Sequence, residues 1–235
     1  MMAYGKEAHA VAVKAERNPQ LIGIGPKLIV LLCVAGAYGG QFWPESLVLA
    51  HGMEWLGNPP YQGFLGAFLP HLLLYTTFMA AVSAILWFIL AGFGWIQPPQ
   101  FGNVRRSIEL GVIVGLVAVV LSVGVAWLTL PSGSVRWIPP DGWKIAGNVF
   151  SNCYEEFVNR GFFLTALRTV FGFWPAAIIS SAMWGFLHTQ YPLALRILIV
   201  VIGIGFCWAA RRAQSLLAPY VAHEVLDTIA DCLIG

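Results

Sequence analysis

Long apolar runs separated by short polar patches dominate the chain, and a helix needs about 20 such residues to cross roughly 30 Å of hydrocarbon. At that length the pattern predicts spans near 22–42, 64–96, 109–130, 145–167, 173–190, 193–210 and 215–234. The expected fold class is therefore all-α: a polytopic membrane helix bundle of about seven transmembrane helices, with six or eight allowed. The allowance comes from the second run. From Trp55 to Val104 no side chain is formally charged, yet Gly57, Pro59, Pro60, Gly63 and Pro70 interrupt it, so it makes one tilted helix or two short ones. The segment 44–56, PESLVLAHGMEWL, reads as an interfacial or re-entrant helix. Small-xxx-small pairs, Gly36 with Gly40 and Gly111 with Gly115, predict close helix–helix approach. Three parts follow: a polar N-terminal cytoplasmic segment (1–27), N-terminal transmembrane helices (28–144) and a helical core that carries the chemistry (145–235).

Polar side chains inside hydrocarbon are costly unless they face protein or water, so their spacing within the spans is informative. In the fourth span Asn148, Asn152, Glu155, Glu156, Asn159 and Arg160 recur at intervals of three and four, along one helix face. In the seventh, Tyr220, His223, Glu224, Asp227, Thr228 and Asp231 do the same, and the fifth adds Ser180, Trp184 and His188. Each ionised group at a span's centre costs roughly 2.5–3.5 kcal/mol, so Glu155, Glu156 and Arg160 would cost on the order of 8 kcal/mol together if left unpaired. Glu156 precedes Arg160 by four residues, the favourable order for a same-face ion pair. Glu155 lies about 100° further round the helix. It is then the carboxylate without a local cation, and so the group available as a general base. Its expected partner is an imidazole from another helix, His188 or His223. His9, His51 and His71 stand off these stripes and read as solvated or packing residues.

Composition narrows the function classes. The chain of 235 residues is 58% hydrophobic, 14% aromatic and only 10% charged, against roughly 25% charged in an ordinary soluble domain. Neither a soluble globule nor a disordered chain has that make-up. Thirteen basic and 11 acidic residues leave a net charge of +2, too small a surplus to indicate nucleic acid as a partner. Cys33, Cys153, Cys207 and Cys232 form no CxxC pair and read as small hydrophobic fillers. With seven spans, nine basic residues (Lys6, Lys14, Arg17, Lys27, Arg105, Arg106, Arg168, Arg211, Arg212) fall on the side of the N-terminus, and Arg136, Lys144 and Arg196 fall opposite. That bias places the N-terminus in the cytoplasm. The compact size and the lack of an organelle signal lead to the expectation of a prokaryotic inner membrane.

Three short runs in the last part of the chain resemble a known family. Glu155-Glu156-Phe157-Val158-Asn159-Arg160-Gly161 resembles the EExxxR motif of the CPBP intramembrane proteases, which include the CAAX prenyl endopeptidases and bacteriocin-processing or immunity (Abi) proteins. Trp184-Gly185-Phe186-Leu187-His188 resembles the second motif, FxxxH, with tryptophan in the phenylalanine place. His223-Glu224-Val225-Leu226-Asp227 resembles the third, HxxxN or HxxxD. The resemblance covers residues 145–235. It implies a glutamate-type endopeptidase in which Glu155 and His188 activate a water for attack on a peptide carbonyl near or within the membrane. His223 and Asp227 would stabilise the oxyanion, Glu156 and Arg160 would hold the site or orient substrate, and Asn152, Asn159 and Trp184 would line it. An asparagine at 227 could donate to an oxyanion, whereas an ionised Asp227 cannot; Asp227 must be protonated, or else accept from His223.

The resemblance implies no cofactor. Two imidazoles and a carboxylate also make a zinc site, so an alternative is a metalloprotease with Glu155, His188 and His223 as ligands. A further alternative is a non-catalytic membrane protein, a proton-coupled carrier or an immunity scaffold. Expected partners are the lipid bilayer and a protein or peptide substrate: a lipid-modified C-terminus, a bacteriocin leader, or the membrane tail of a surface-sorted protein.

Overall fold

The computed structural model describes residues 22–47, 80–98, 100–189 and 191–234. Its helices are α1 (Ile24–Leu47), α2 (Ala80–Gly92), α3 (Val104–Thr129), α4 (Gly142–Glu156), a π-helical segment (Phe157–Phe163), α5 (Leu164–Phe171), α6 (Phe173–Leu187), α7 (Leu193–Ala213) and α8 (Leu217–Ala230). No strand forms among the described residues. Single bridges, Phe101 with Ser215 and Val135 with Ile234, pin loops to the two ends of α8.

By length and composition α1, α3 and α7 are each able to cross a membrane. Ile113, Val117 and Val120 of α3 and Ile197 and Val201 of α7 are exposed. Apolar side chains turned outward along such helices mark an integral membrane protein, with lipid as the solvent of that face. The helices α2 and α6 are apolar but shorter; at 15 residues, α6 spans only about 22 Å, less than the predicted fifth span requires. Of the second predicted span, 64–79 lies outside the described residues and 80–92 is α2. The predicted helix at 44–56 is altered: residues 44–47 continue α1, and 48–56 lie outside the described residues. His9, His51 and His71 also lie outside them.

The two small-residue pairs have different fates. A Cβ on Gly111 would stand 2.6 Å from the Ala218 carbonyl oxygen, and one on Gly115 would stand 2.7 Å from that of Ala222. Glycine at these positions lets α8 lie against α3, as predicted. Around Gly36 and Gly40 nothing lies within 4 Å, so that pair makes no such approach among the described residues. The reason is register: Val30, Val34 and Ala37, not the glycines, are the buried positions of α1 among the described side chains. At Gly185 a Cβ would meet Val200 at 2.6 Å, which brings the last turn of α6 onto α7. All four cysteines are free; Cys207 and Cys232 are buried and Cys33 partly so, whereas Cys153 is exposed.

Candidate active site

The fourth polar stripe begins as an α-helix and then unwinds. After Glu156 the chain makes one π-helical stretch, in which the Leu164 amide donates to the Asn159 carbonyl, five residues back. Wider turns of this kind occur mostly as single insertions at functional sites. Here the Asn159 side-chain amide donates to the Glu155 carbonyl at 2.8 Å, bracing the backbone that carries both glutamates. Gly161 is required beside it, since a Cβ there would run into the Trp87 ring at 2.4 Å.

Glu156 is the centre of a sealed knot. Arg160 Nη1 lies 3.1 Å from its Oε1, with both side chains 1% exposed. The predicted i,i+4 pair is therefore present. The same oxygen accepts from His223 Nδ1 at 2.9 Å, and His223 Nε2 stands 3.5 Å from Asp227 Oδ2. The Arg160 guanidinium lies over the Trp184 ring at 4.0 Å and faces Phe206 at 5.3 Å. An aromatic face offers a buried cation what water no longer does. Among the described residues Glu156 Oε2 and the Nε and Nη2 groups of Arg160 have no partner, so the knot carries an uncompensated desolvation cost.

Glu155 sits one position earlier on a different surface. It is half-buried, and its Oε2 accepts from the Trp184 indole Nε1 at 2.7 Å. Among the described residues no imidazole is bonded to it directly. His188, at the C-terminal end of α6, holds its Nδ1 2.9 Å from the Trp184 carbonyl oxygen. A carbonyl only accepts, so Nδ1 carries a hydrogen and Nε2 is the ring nitrogen that bond leaves over. Both imidazoles stand edge-on to Trp184, with centroids at 5.3 Å for His188 and 5.2 Å for His223. Trp184 is thus the common wall between the sealed knot and the half-open patch.

The turn after His188 is fixed from outside: Arg196 donates to the carbonyls of Thr189 and Tyr191. The Tyr191 ring stacks on His188 at 6.0 Å. Partial desolvation, then the Asp227 and Asp231 carboxylates, push its phenol above the ordinary range, so the hydroxyl stays a donor. Sequence reasoning missed Tyr191; the signal was an aromatic three residues past a stripe histidine. Asn152 is fully buried and reaches toward Glu224 and Asp227 without meeting either at hydrogen-bond geometry. Asp231 joins α4 to the end of α8, accepting from Asn148 at 2.9 Å and pairing with Lys144 at 2.7 Å. Ser180 stays beside Cys207. Among the described residues no three of His, Cys, Asp and Glu converge closely enough to hold a metal ion; Glu155, His188 and His223 are grouped around an indole instead.

Residues 142–229 match the family model described as Type II CAAX prenyl endopeptidase Rce1-like. The matched stretch holds all three motifs and somewhat more than a third of the chain. It agrees with the CPBP resemblance and implies a protease acting on protein or peptide at the membrane. No curated protein and no solved structure matches the chain.

Proposed function

We propose that the chain is a multi-pass intramembrane endopeptidase of the glutamate type. The bundle then has about seven crossings, the N-terminus is cytoplasmic, and the site is the half-open patch of Glu155 and His188. The observation that supports this reading best is the division of labour around Trp184. One glutamate is locked to a cation, while its neighbour is held by a single indole N–H with its other oxygen left to act on water. Glu155 takes a proton from water as the water attacks the carbonyl carbon and returns it to the leaving amine as the C–N bond breaks, while His188 Nε2 accepts a hydrogen bond from the water and orients it. His223 Nδ1 is taken by Glu156, so the donor for the oxyanion is Nε2, the nitrogen on the Asp227 side of the ring. No metal takes part. Substrates are membrane-apposed or lipid-modified peptides, in a prokaryotic inner membrane.

Glu155→Gln keeps the side chain's shape and removes its basicity. Cleavage of the accumulated natural substrate, identified by comparing a deletion strain with its parent, is expected to fall about 10²–10⁴-fold with membrane insertion unchanged. A variant that retains full cleavage removes the mechanism. Prolonged chelation is expected to leave the rate unaltered; loss of activity restored by zinc would move the chemistry onto a metal.

A further inference from the structure

Most of the cations on α3 to α8 gather at one end of the bundle, and the proposed catalytic patch opens at the other. Gly102, just before α3, is pressed against the end of α7, where a Cβ would collide with the Ala213 carbonyl oxygen. The Phe101–Ser215 bridge closes the same corner, so the start of α3 and the turn between α7 and α8 share one end. Arg105 and Arg106 stand in the first turn of α3, and Arg211 and Arg212 in the last turn of α7. Arg211 lies over the Phe173 ring at 4.4 Å, which brings the turn from α5 to α6 to that end too, with Arg168 in the last turn of α5. Glu109, paired to Arg105, is the acid beside them.

From this end α3 and α8 run parallel, because Gly111 meets Ala218 and Gly115 meets Ala222. At the far end Lys144, in the first turn of α4, pairs with Asp231 just past α8, and the Arg136 amide donates to the Leu233 carbonyl at 3.0 Å. The last turn of α6 arrives there against the first turn of α7, since a Cβ on Gly185 would stand 3.0 Å from the Arg196 carbonyl oxygen. Arg196 in turn donates to the carbonyls of Thr189 and Tyr191. That turn is the mouth of the Glu155–His188 patch: the Tyr191 ring stacks on His188 and is exposed. Trp127, near the end of α3, and Trp137, in the loop that follows, are exposed at the same end, as tryptophans at headgroup level are.

Lysines and arginines in short connections beside membrane spans are kept on the cytoplasmic side during insertion, and acidic residues contribute little to that choice. From Val104 onward the chain has five arginines at the first end, against Arg136, Lys144 and Arg196 at the second. Arg160 counts for neither, being buried with Glu156. We propose that the mouth of the Glu155–His188 patch opens on the non-cytoplasmic side of the membrane, and that its substrate is an exported chain presented at the outer surface of the bilayer. What the patch does there rests on the endopeptidase reading above; where it opens rests on helix direction and charge. A lipid-modified C-terminus that stays in the cytoplasm meets the arginine end and not the turn at Tyr191. An exported leader, or the membrane tail of a surface-sorted protein, reaches that turn directly.

Sidedness is measured without activity, on the full chain in spheroplasts. With the exposed native thiol removed by Cys153→Ser, a membrane-impermeant maleimide is expected to modify Ser132→Cys, in the exposed loop after α3, fully in intact spheroplasts. Gln100→Cys, exposed just before α3, is expected to react only once the membrane is permeabilised. Any other pattern overturns the orientation. Alkaline phosphatase, which becomes active only when exported, gives a second measurement without substitution: joined after Ile234, which the bridge to Val135 holds at the patch end, it is expected to be active, and an inactive fusion overturns the orientation. The substrate class is read on the protein that accumulates uncleaved in a deletion strain. An impermeant amine reagent is expected to modify its cleaved segment in intact spheroplasts, and modification only after permeabilisation overturns that class. The two readings fail separately: full cleavage by Glu155→Gln removes the endopeptidase and leaves the maleimide pattern standing, whereas a reversed pattern with Glu155→Gln inactive removes only the orientation.

Discussion

Glu155 and Glu156 are neighbours in the chain and belong to two unlike regions. Around Glu156 the protein is closed: a guanidinium, an imidazole and two aromatic faces surround a carboxylate that is 1% exposed. Around Glu155 it is half-open, with one indole donor whose own backbone carbonyl holds the Nδ1 of His188. The difference follows from the 100° step between successive helix positions, which turns one acid into the bundle and the other along its seam. Two carboxylates of identical chemistry are thus divided between one sealed by a cation and one left at a half-open surface.

Breaking the closed region is expected to have the largest effect. Glu156→Ala strands Arg160 in a buried site, and loss of one partner of such a pair costs about 3–5 kcal/mol. Unfolding in detergent should show that loss together with the loss of activity, whereas Glu155→Gln should lose activity alone. If Glu156→Ala unfolds like the parent, the two regions are not distinct in the way described. Trp184→Phe sharpens the boundary between them. The ring remains for Arg160, but the hydrogen bond to Glu155 goes, and its loss is expected to lower kcat about tenfold with KM nearly unchanged; an unaltered kcat would reduce Trp184 to packing. Phenylalanine is the residue of the resembled motif at this place, so the variant also asks how Glu155 is held without the indole. The smallest change is expected from Asp231→Asn, where Lys144 is 56% exposed and the pair is worth at most about 1 kcal/mol. A larger loss of stability would make the α4–α8 clamp part of the closed region.

The polar stripes and the Glu156–Arg160 pair were legible because helical spacing and the cost of charge in hydrocarbon leave few alternatives. The π-helical turn was not: over seven residues a wide turn and an ordinary one leave nearly the same alternation of polar and apolar positions. The same limit hid the choice made by His223. Spacing put it on the inner face of α8, but only packing decided that its Nδ1 meets Glu156. Gly111 and Gly115 show that a small-residue pair can be read correctly, and Gly36 and Gly40 that the same pair can face open space.

By itself the sequence determined that the chain is helical, that it belongs in a bilayer, and which acids and imidazoles are held inside it, because burial of charge is too costly to be accidental. Only the tertiary structure decided what closes around each glutamate: His223 Nδ1 joins the Glu156–Arg160 pair, and the Trp184 indole rather than an imidazole holds Glu155. Those contacts depend on where an indole N–H and an imidazole from two other helices come to rest, a matter of a few ångströms that no spacing along one helix encodes.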